Sequence, residues 1–325
     1  MRALVVEALG PPESHRVAEL PDPVAGPGEV VVDVKAAALN FPDLLMIQGR
    51  YQVQPDLPFV PGSEGSGIVV GRGAGVDGIA VGDEVSFLSV TGAFAEKVSL
   101  PAARVFPKAP ELSFAEAAGF TLTYATSYHA LRQRAGLRPG ETLLVLGAAG
   151  GVGAAAVELG AVMGARVIAA ASTNEKLDFA ISLGAADGIN YSTSDLKDAV
   201  RRLTGGVGPD VVYDPVGGHL AEPALRSMAW GGRYLVIGFA AGDIPAIKLN
   251  LPLLKGLSIV GVYWGSWVEH DPAGQAANYD DLLAMVSRGD IRPRVTESFE
   301  LDEFAEACRV ISSRLAMGKI VLDVA

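Results

Sequence analysis

Ala148, Gly150 and Gly153 stand where a G-x-G-x-x-G turn would carry its three small residues. Missing side chains let the backbone there, including Gly151 and Val152, approach a pyrophosphate, and the start of a helix favours negative charge. A glycine triplet also serves close packing of helix on strand, so its surroundings decide. Thr142–Leu146 is an apolar run of strand length, and Val152, Ala156, Leu159 and Met163 then recur at helical spacing until Gly164. Strand, glycine turn and helix follow one another as a dinucleotide site requires.

The next apolar run, Arg166–Ala171, ends in Ser172, about 20 residues past the glycines, where NAD-binding folds carry an acid. Ser172 can donate a hydrogen bond and Lys176 can add positive charge, a combination that suits a 2′-phosphate and favours NADPH over NADH. Ser172 with Glu175 also reads as a helix capping box, with Lys176 as a solvated helix residue, and the two readings are compatible.

Other reactive side chains are sparse. His15, His129, His219 and His270 are scattered and form no metal pair, and Cys308 is the one cysteine. An intramolecular disulfide is impossible and a cysteine-based zinc site would lack ligands. Cys308 lies on an apolar stripe with Leu301, Phe304, Ile311 and Leu315, which makes it a core residue rather than a nucleophile. Lys plus Arg number 26 against 37 for Asp plus Glu, a net charge of -11, which argues against binding nucleic acid or an anionic membrane. No apolar run approaches membrane-spanning length, and cytoplasmic residence is the default expectation.

These residues must be positioned by elements of two kinds. Residues 1–122 read as short strands broken by Gly and Pro, a small irregular barrel that is mostly β. The pattern turns helical over 114–131, with a boundary near Thr123. Strands and helices then alternate to about residue 263, with candidate strands at Thr142–Leu146, Arg166–Ala171, around Ile189, Val211–Asp214, 233–237 and 257–262. Six such strands predict an α/β fold with a doubly wound parallel Rossmann sheet. A helix over 275–288, the Cys308 stripe and a last strand over 319–324 are expected to rejoin the first domain. The expected division is therefore 1–122 with 264–325 as a discontinuous catalytic domain, and 123–263 as the cofactor domain.

Six segments occur in a familiar order: ALNFPDLLMIQGRY (38–51), LPFVPGSEGSGIV (57–69), VGDEV (81–85), GAFAEKVSLPA (92–102), GAAGGVG (147–153) and SRLAMGKIVL (313–322). Together they resemble the zinc-free quinone oxidoreductase group of the medium-chain dehydrogenase/reductase superfamily, which includes zeta-crystallin. The resemblance runs nearly end to end and implies a GroES-like barrel as the catalytic domain and a homodimer joined through the last Rossmann strand. Where zinc-dependent relatives carry a ligand cysteine, this chain reads Leu39-Asn40-Phe41, and their Gly-His-Glu triplet is Gly62-Ser63-Glu64. No metal site is expected.

A reductase without a Lewis acid needs an acceptor that already spreads negative charge, such as a quinone or an α,β-unsaturated carbonyl. The resemblance implies that Asn40 and Tyr51 line the substrate cleft, Asn40 orienting nicotinamide or acceptor and Tyr51 offering a phenolic hydrogen bond or proton. Read without it, Asn40 is a helix cap and Tyr51 a loop aromatic. Asp43 reads as an acid or as a first-turn helix charge, and Glu64 as structural. Further cofactor contacts are implied for Thr123, Tyr191, Phe239, Gly261, Tyr263 and Arg314. An enoyl-CoA-type reductase is the nearest alternative and calls for a basic pocket, for which Lys97, Arg104 and Lys108 are candidates without forming a motif. A non-catalytic NADPH-binding or RNA-binding protein is the alternative from another class.

Overall fold

Two patterns of burial organise the chain. The Glu29–Leu39 strand lies at the centre of a sheet and buries nearly all of its residues, whereas Thr142–Leu146 is buried on both faces beneath helices. The computed structural model describes residues 1–324. They divide into two compact units, Met1–Leu122 with Arg292–Ala325, and Thr123–Ile291.

In the first unit Glu29–Leu39 pairs antiparallel with three strands: Lys319–Asp323, Glu64–Arg72 and Lys97–Pro101. Glu84–Leu88 and Val105–Pro107 extend the sheet beyond Glu64–Arg72, and Val295–Glu300 runs parallel to Lys319–Asp323 at the other edge. The core between the strands is Val30, Val32, Phe87, Phe94, Phe304 and Ile320, with Cys308 buried among them as its place on the stripe predicts. Burial drives the Cys308 thiol pKa far above its ordinary value, so the thiolate is suppressed. The Phe41–Ile47 helix leaves the end of the central strand and packs Leu44, Met46 and Ile47 onto the same core.

The second unit holds six parallel strands. Their spatial order is Asp187–Asn190, Arg166–Ala171, Thr142–Leu146, Val211–Asp214, Arg233–Val236 and Ser258–Gly261. Counted along the chain this is 3-2-1-4-5-6, the doubly wound order. Leu143, Leu144, Val145 and Leu146 have no exposed surface, and each such leucine contributes roughly 1.5–3 kcal/mol of transfer free energy.

This unit continues past residue 263, where the sequence reading ends the cofactor domain. The Trp264–His270 and Pro272–Ser287 helices belong to it. Tyr128 Oη donates to Asp281 Oδ2 at 2.8 Å, and Gln133 Nε2 donates to Asn278 Oδ1 at 2.7 Å, which ties the second of these helices to the segment that opens the unit. Residues 264–291 thus belong to the second unit, and the first resumes at Arg292. Among the described residues no helix is long and apolar enough to cross a membrane.

Candidate active site

The glycine turn is built as its spacing predicts. Gly147 takes a left-handed φ of 58°, and the Gly151–Val162 helix starts after Gly150. A Cβ on Gly153 would lie 2.2 Å from Gly147 O, so internal packing alone demands that glycine. Gly150 is different. Its φ of -76° suits any residue, and a Cβ there would meet only Gly147 O at 3.5 Å. The chain's own packing does not require glycine at 150, and the missing side chain leaves the backbone there open to close approach. The first turn carries no acidic residue, so nothing on it repels an anion. Ser127 Oγ steadies the turn by donating to Val152 O at 3.0 Å.

The strands beside it bring three of the predicted residues to one corner. Ser172 follows Arg166–Ala171, Lys176 sits in the first turn of the Asn174–Ser182 helix, and the Tyr191 N–H donates to Ala171 O at 3.1 Å. Thr173, not Ser172, caps that helix: its Oγ1 accepts from Lys176 N at 3.3 Å. The Ser172–Glu175 capping box is therefore not formed, and the Ser172 hydroxyl is not the cap. Ser172, Lys176 and Tyr191 are all half-buried. A hydroxyl, an ammonium and a phenol at the carboxyl ends of neighbouring strands can hold a phosphate monoester.

Phe239 follows Arg233–Val236 and lies over Gly217, whose Cβ would come within 2.9 Å of the ring. Gly261 ends its strand with open space around its Cα, and its carbonyl accepts from Arg134 Nε at 3.0 Å. Tyr263, just beyond, is exposed, and Thr123 is buried in the Thr121–His129 helix. Phe239 and Gly261 share the carboxyl edge of the sheet with the glycine turn. His129 stacks on Trp267 at 4.2 Å between ring centroids, which accounts for it as a packed histidine.

In the first unit Asn40 meets two charged side chains from remote strands. Lys319 Nζ donates to Asn40 Oδ1 at 2.7 Å and to Glu64 Oε1 at 3.0 Å, and Asn40 Nδ2 donates to Glu64 Oε1 at 3.0 Å. All three side chains are buried. Asn40 is the N-cap of the Phe41–Ile47 helix and forms a capping box with Asp43, whose Oδ2 accepts the Asn40 N–H at 2.8 Å, while the Asn40 carboxamide is also engaged with Lys319 and Glu64. Asp43 is itself enclosed, and burial pushes its pKa up to about 7 against the opposing pull of the Asn40 N–H. It stands in the first turn of the helix, as read, but enclosed.

Tyr51 is half-buried in the segment after this helix and packs against the core. Arg314 is exposed, and its backbone is left-handed at φ 57°. Sequence reasoning missed Lys319. The available signal was a lysine immediately before the apolar run Ile-Val-Leu, where a cation has no apolar reason to be. The candidate CoA-binding lysines do not form one cluster: Lys97 pairs with Asp22 and Lys108 with Glu84.

Among the described residues no group of three or more His, Cys, Asp and Glu side chains could hold a metal ion. Residues 26–111 match the family described as alcohol dehydrogenase GroES-like domain, and residues 151–284 match that described as zinc-binding dehydrogenase. A quinone oxidoreductase-like protein 2 homolog of Nematostella vectensis is 40% identical over 92% of this chain and 82% of its own. The quinone oxidoreductase of Pseudomonas syringae pv. Tomato DC3000 superposes with a TM-score of 0.92 at 32% identity, over 99% of both chains. An Escherichia coli quinone oxidoreductase, solved as a complex with NADPH, gives a TM-score of 0.93 at 28% identity over 99% of this chain and 100% of that one. Barrel, doubly wound sheet and end-to-end similarity agree: the chain belongs to the quinone oxidoreductase group of the medium-chain dehydrogenase/reductase superfamily.

Proposed function

We propose that this protein reduces quinones or α,β-unsaturated carbonyls with NADPH and without zinc. The observation that carries the reading is the corner formed by Ser172, Lys176 and Tyr191, with no acid at the end of the second strand, beside a glycine at 150 that internal packing does not need. An acid there would repel a 2′-phosphate, and the present side chains would bind it. The relatives named for quinone reduction, and the Escherichia coli enzyme's complex with NADPH, support the same choice.

NADPH, when bound, supplies the hydride. The chain's task is to bind and orient. Gly150, Gly151, Val152 and Gly153 would receive the pyrophosphate, and Thr123, Phe239, Gly261 and Tyr263 would flank the remainder of the dinucleotide, with Arg314 adding a charge contact. Asn40 would accept a hydrogen bond at Oδ1. Tyr51 would act first as a hydrogen-bond donor to the oxygen on which negative charge develops. Zinc independence is supported by Asn40 and Ser63, which stand where zinc-dependent relatives carry ligands. With only hydrogen bonds to stabilise that oxygen, the acceptor must delocalise charge by conjugation.

We also propose a homodimer. Ser258–Gly261 is an edge strand, bonded on one side to Arg233–Val236, and Ile259 on it is exposed. An unprotected apolar edge is a template for a second copy.

The test is NADPH oxidation by metal-free protein against quinones, alkenals and enoyl-CoA thioesters, with NADH in parallel. Turnover of quinone or enone with NADPH preferred is expected. Preference for thioesters would move the assignment to an enoyl-CoA-type reductase, and binding of NADPH without consumption by any acceptor would end the catalytic reading.

A further inference from the structure

The contacts around Asn40 leave its carboxamide little freedom. Lys319 has three N–H donors, and three acceptors surround it: Asn40 Oδ1 at 2.7 Å, Glu64 Oε1 at 3.0 Å and Leu39 O at 3.3 Å. Both N–H groups of Asn40 Nδ2 are also engaged, by Glu64 Oε1 at 3.0 Å and Ala38 O at 3.3 Å. Glu64 Oε2 accepts the Leu122 N–H at 2.9 Å. A flipped carboxamide would set NH2 against the ammonium and oxygen against the carboxylate, so the charges choose its orientation. With both N–H groups engaged, Oδ1, which the helix-cap geometry also sets towards the Asp43 N–H, is the one polar atom that Asn40 can present to a ligand.

The strands that deliver these groups make the arrangement specific. Ile320 is opposite Leu39 in the sheet, which brings Lys319 level with Asn40, and Glu64 is opposite Ala38 on the other side. Gly119 makes room for the lysine stem, since a Cβ there would lie 3.0 Å from Lys319 Cγ. Apolar residues of similar volume often serve folding as well as a buried ion pair does, so the pair is weak evidence for a role in stability and leaves room for one in orientation.

We propose that Lys319, backed by Glu64, is a positioning residue that holds Asn40 with Oδ1 as its presented atom, so that the ligand group received there is an N–H or O–H donor and not a carbonyl. A primary carboxamide N–H or the hydroxyl of a phenolic product meets that requirement, whereas an unreduced quinone carbonyl does not. The inference rests on the proposed reading of Asn40 as a ligand contact.

Removing one charge alone would strand the other, so the test replaces both, Glu64→Gln with Lys319→Met, in the full chain. Retained circular dichroism and NADPH fluorescence quenching establish that the variant folds. Steady-state reduction of 1,4-benzoquinone should then show kcat lowered by about tenfold or more with KM nearly unchanged, since a misdirected group loses orientation rather than binding. In an Asn40→Ala background the same pair of changes should cost about twofold or less, the non-additivity expected of residues acting through one another. An equal loss in both backgrounds, or wild-type kcat in the variant, would overturn the proposal.

A second readout does not need turnover. The Asn40 side-chain N–H resonances, identified by their disappearance in Asn40→Ala, should exchange slowly with solvent in the wild type and at least tenfold faster in the neutral-pair variant. Unchanged protection would overturn the positioning role even if catalysis fell. If the wild type consumed no quinone or enone, the proposed function would fail while this measurement still decided whether the pair orients Asn40.

Discussion

The Asp43 carboxylate accepts the backbone N–H of Asn40 at 2.8 Å while itself fully enclosed. The bond fixes the start of the Phe41–Ile47 helix, and enclosure makes the negative charge unfavourable, pushing its pKa up to about 7. Between the ordinary aspartate pKa and that value the folded chain keeps a proton that the unfolded chain has released. Stability from this group is therefore present at low pH and declines as pH rises towards 7, by about 4 kcal/mol at most. Asp43→Asn keeps an oxygen for the Asn40 N–H and has no charge to bury. Its unfolding free energy relative to wild type, measured by denaturant titration, should rise between pH 5 and pH 8; a pH-independent difference would refute this account.

Arg314 ends the Phe304–Ser312 helix in a conformation that glycine normally adopts there. The Leu315 N–H donates to Val310 O at 3.1 Å and the Arg314 N–H to Ile311 O at 3.0 Å, closing the helix as a Schellman motif around the left-handed residue. A side chain at that φ costs about 1 kcal/mol. Arg314→Gly should stabilise the protein by about that amount and weaken NADPH binding by about threefold, the scale of an exposed charge contact. Calorimetry and fluorescence titration read the two effects separately. Greater stability with unchanged NADPH affinity would remove Arg314 from the proposed site.

Cofactor choice should turn on Ser172. Ser172→Asp places a carboxylate where the proposed 2′-phosphate lies, and the KM for NADPH should rise about tenfold or more while that for NADH falls. Thr173 caps the following helix, so the fold should be unaffected. Steady-state kinetics with both cofactors check this, and an unchanged ratio would mean that the phosphate is recognised elsewhere.

Ile259→Lys puts a charge on the exposed edge of the six-stranded sheet. Sedimentation equilibrium should then find monomer where the wild type gives dimer. A wild type that is monomeric at micromolar concentration would exclude the proposed interface outright.

The parallel sheet was legible in the sequence because its strands are doubly buried and so read as unbroken apolar runs ended by glycine or a polar residue. Thr142–Leu146, Arg166–Ala171 and Val211–Asp214 stand where they were expected. Two kinds of feature were not legible. The helix over 275–288 carries no local mark of the unit it joins, and its placement in the second unit rests on partners such as Gln133 for Asn278 and Tyr128 for Asp281 that lie about 150 residues away in the chain. Pairings set by strand register carry no local signal either: Lys319 and Asn40 meet because Ile320 aligns with Leu39, and no spacing along the chain expresses that. Likewise Ser172 and Thr173 are equally good caps by composition, and only the backbone angles select Thr173.

The Lys319–Asp323 strand lies between Glu29–Leu39 and Val295–Glu300 in one sheet. During synthesis, then, the central strand must wait for one of its neighbours until 280 further residues have been added, about 14–56 s on a bacterial or eukaryotic ribosome. Thr123–Ile291 is finished within that interval and has every strand of its own sheet. A nascent chain arrested just before Lys319 would carry the whole glycine turn yet hold Asn40 without its ammonium partner, so the first unit acquires its charge pair only after the second unit has been made.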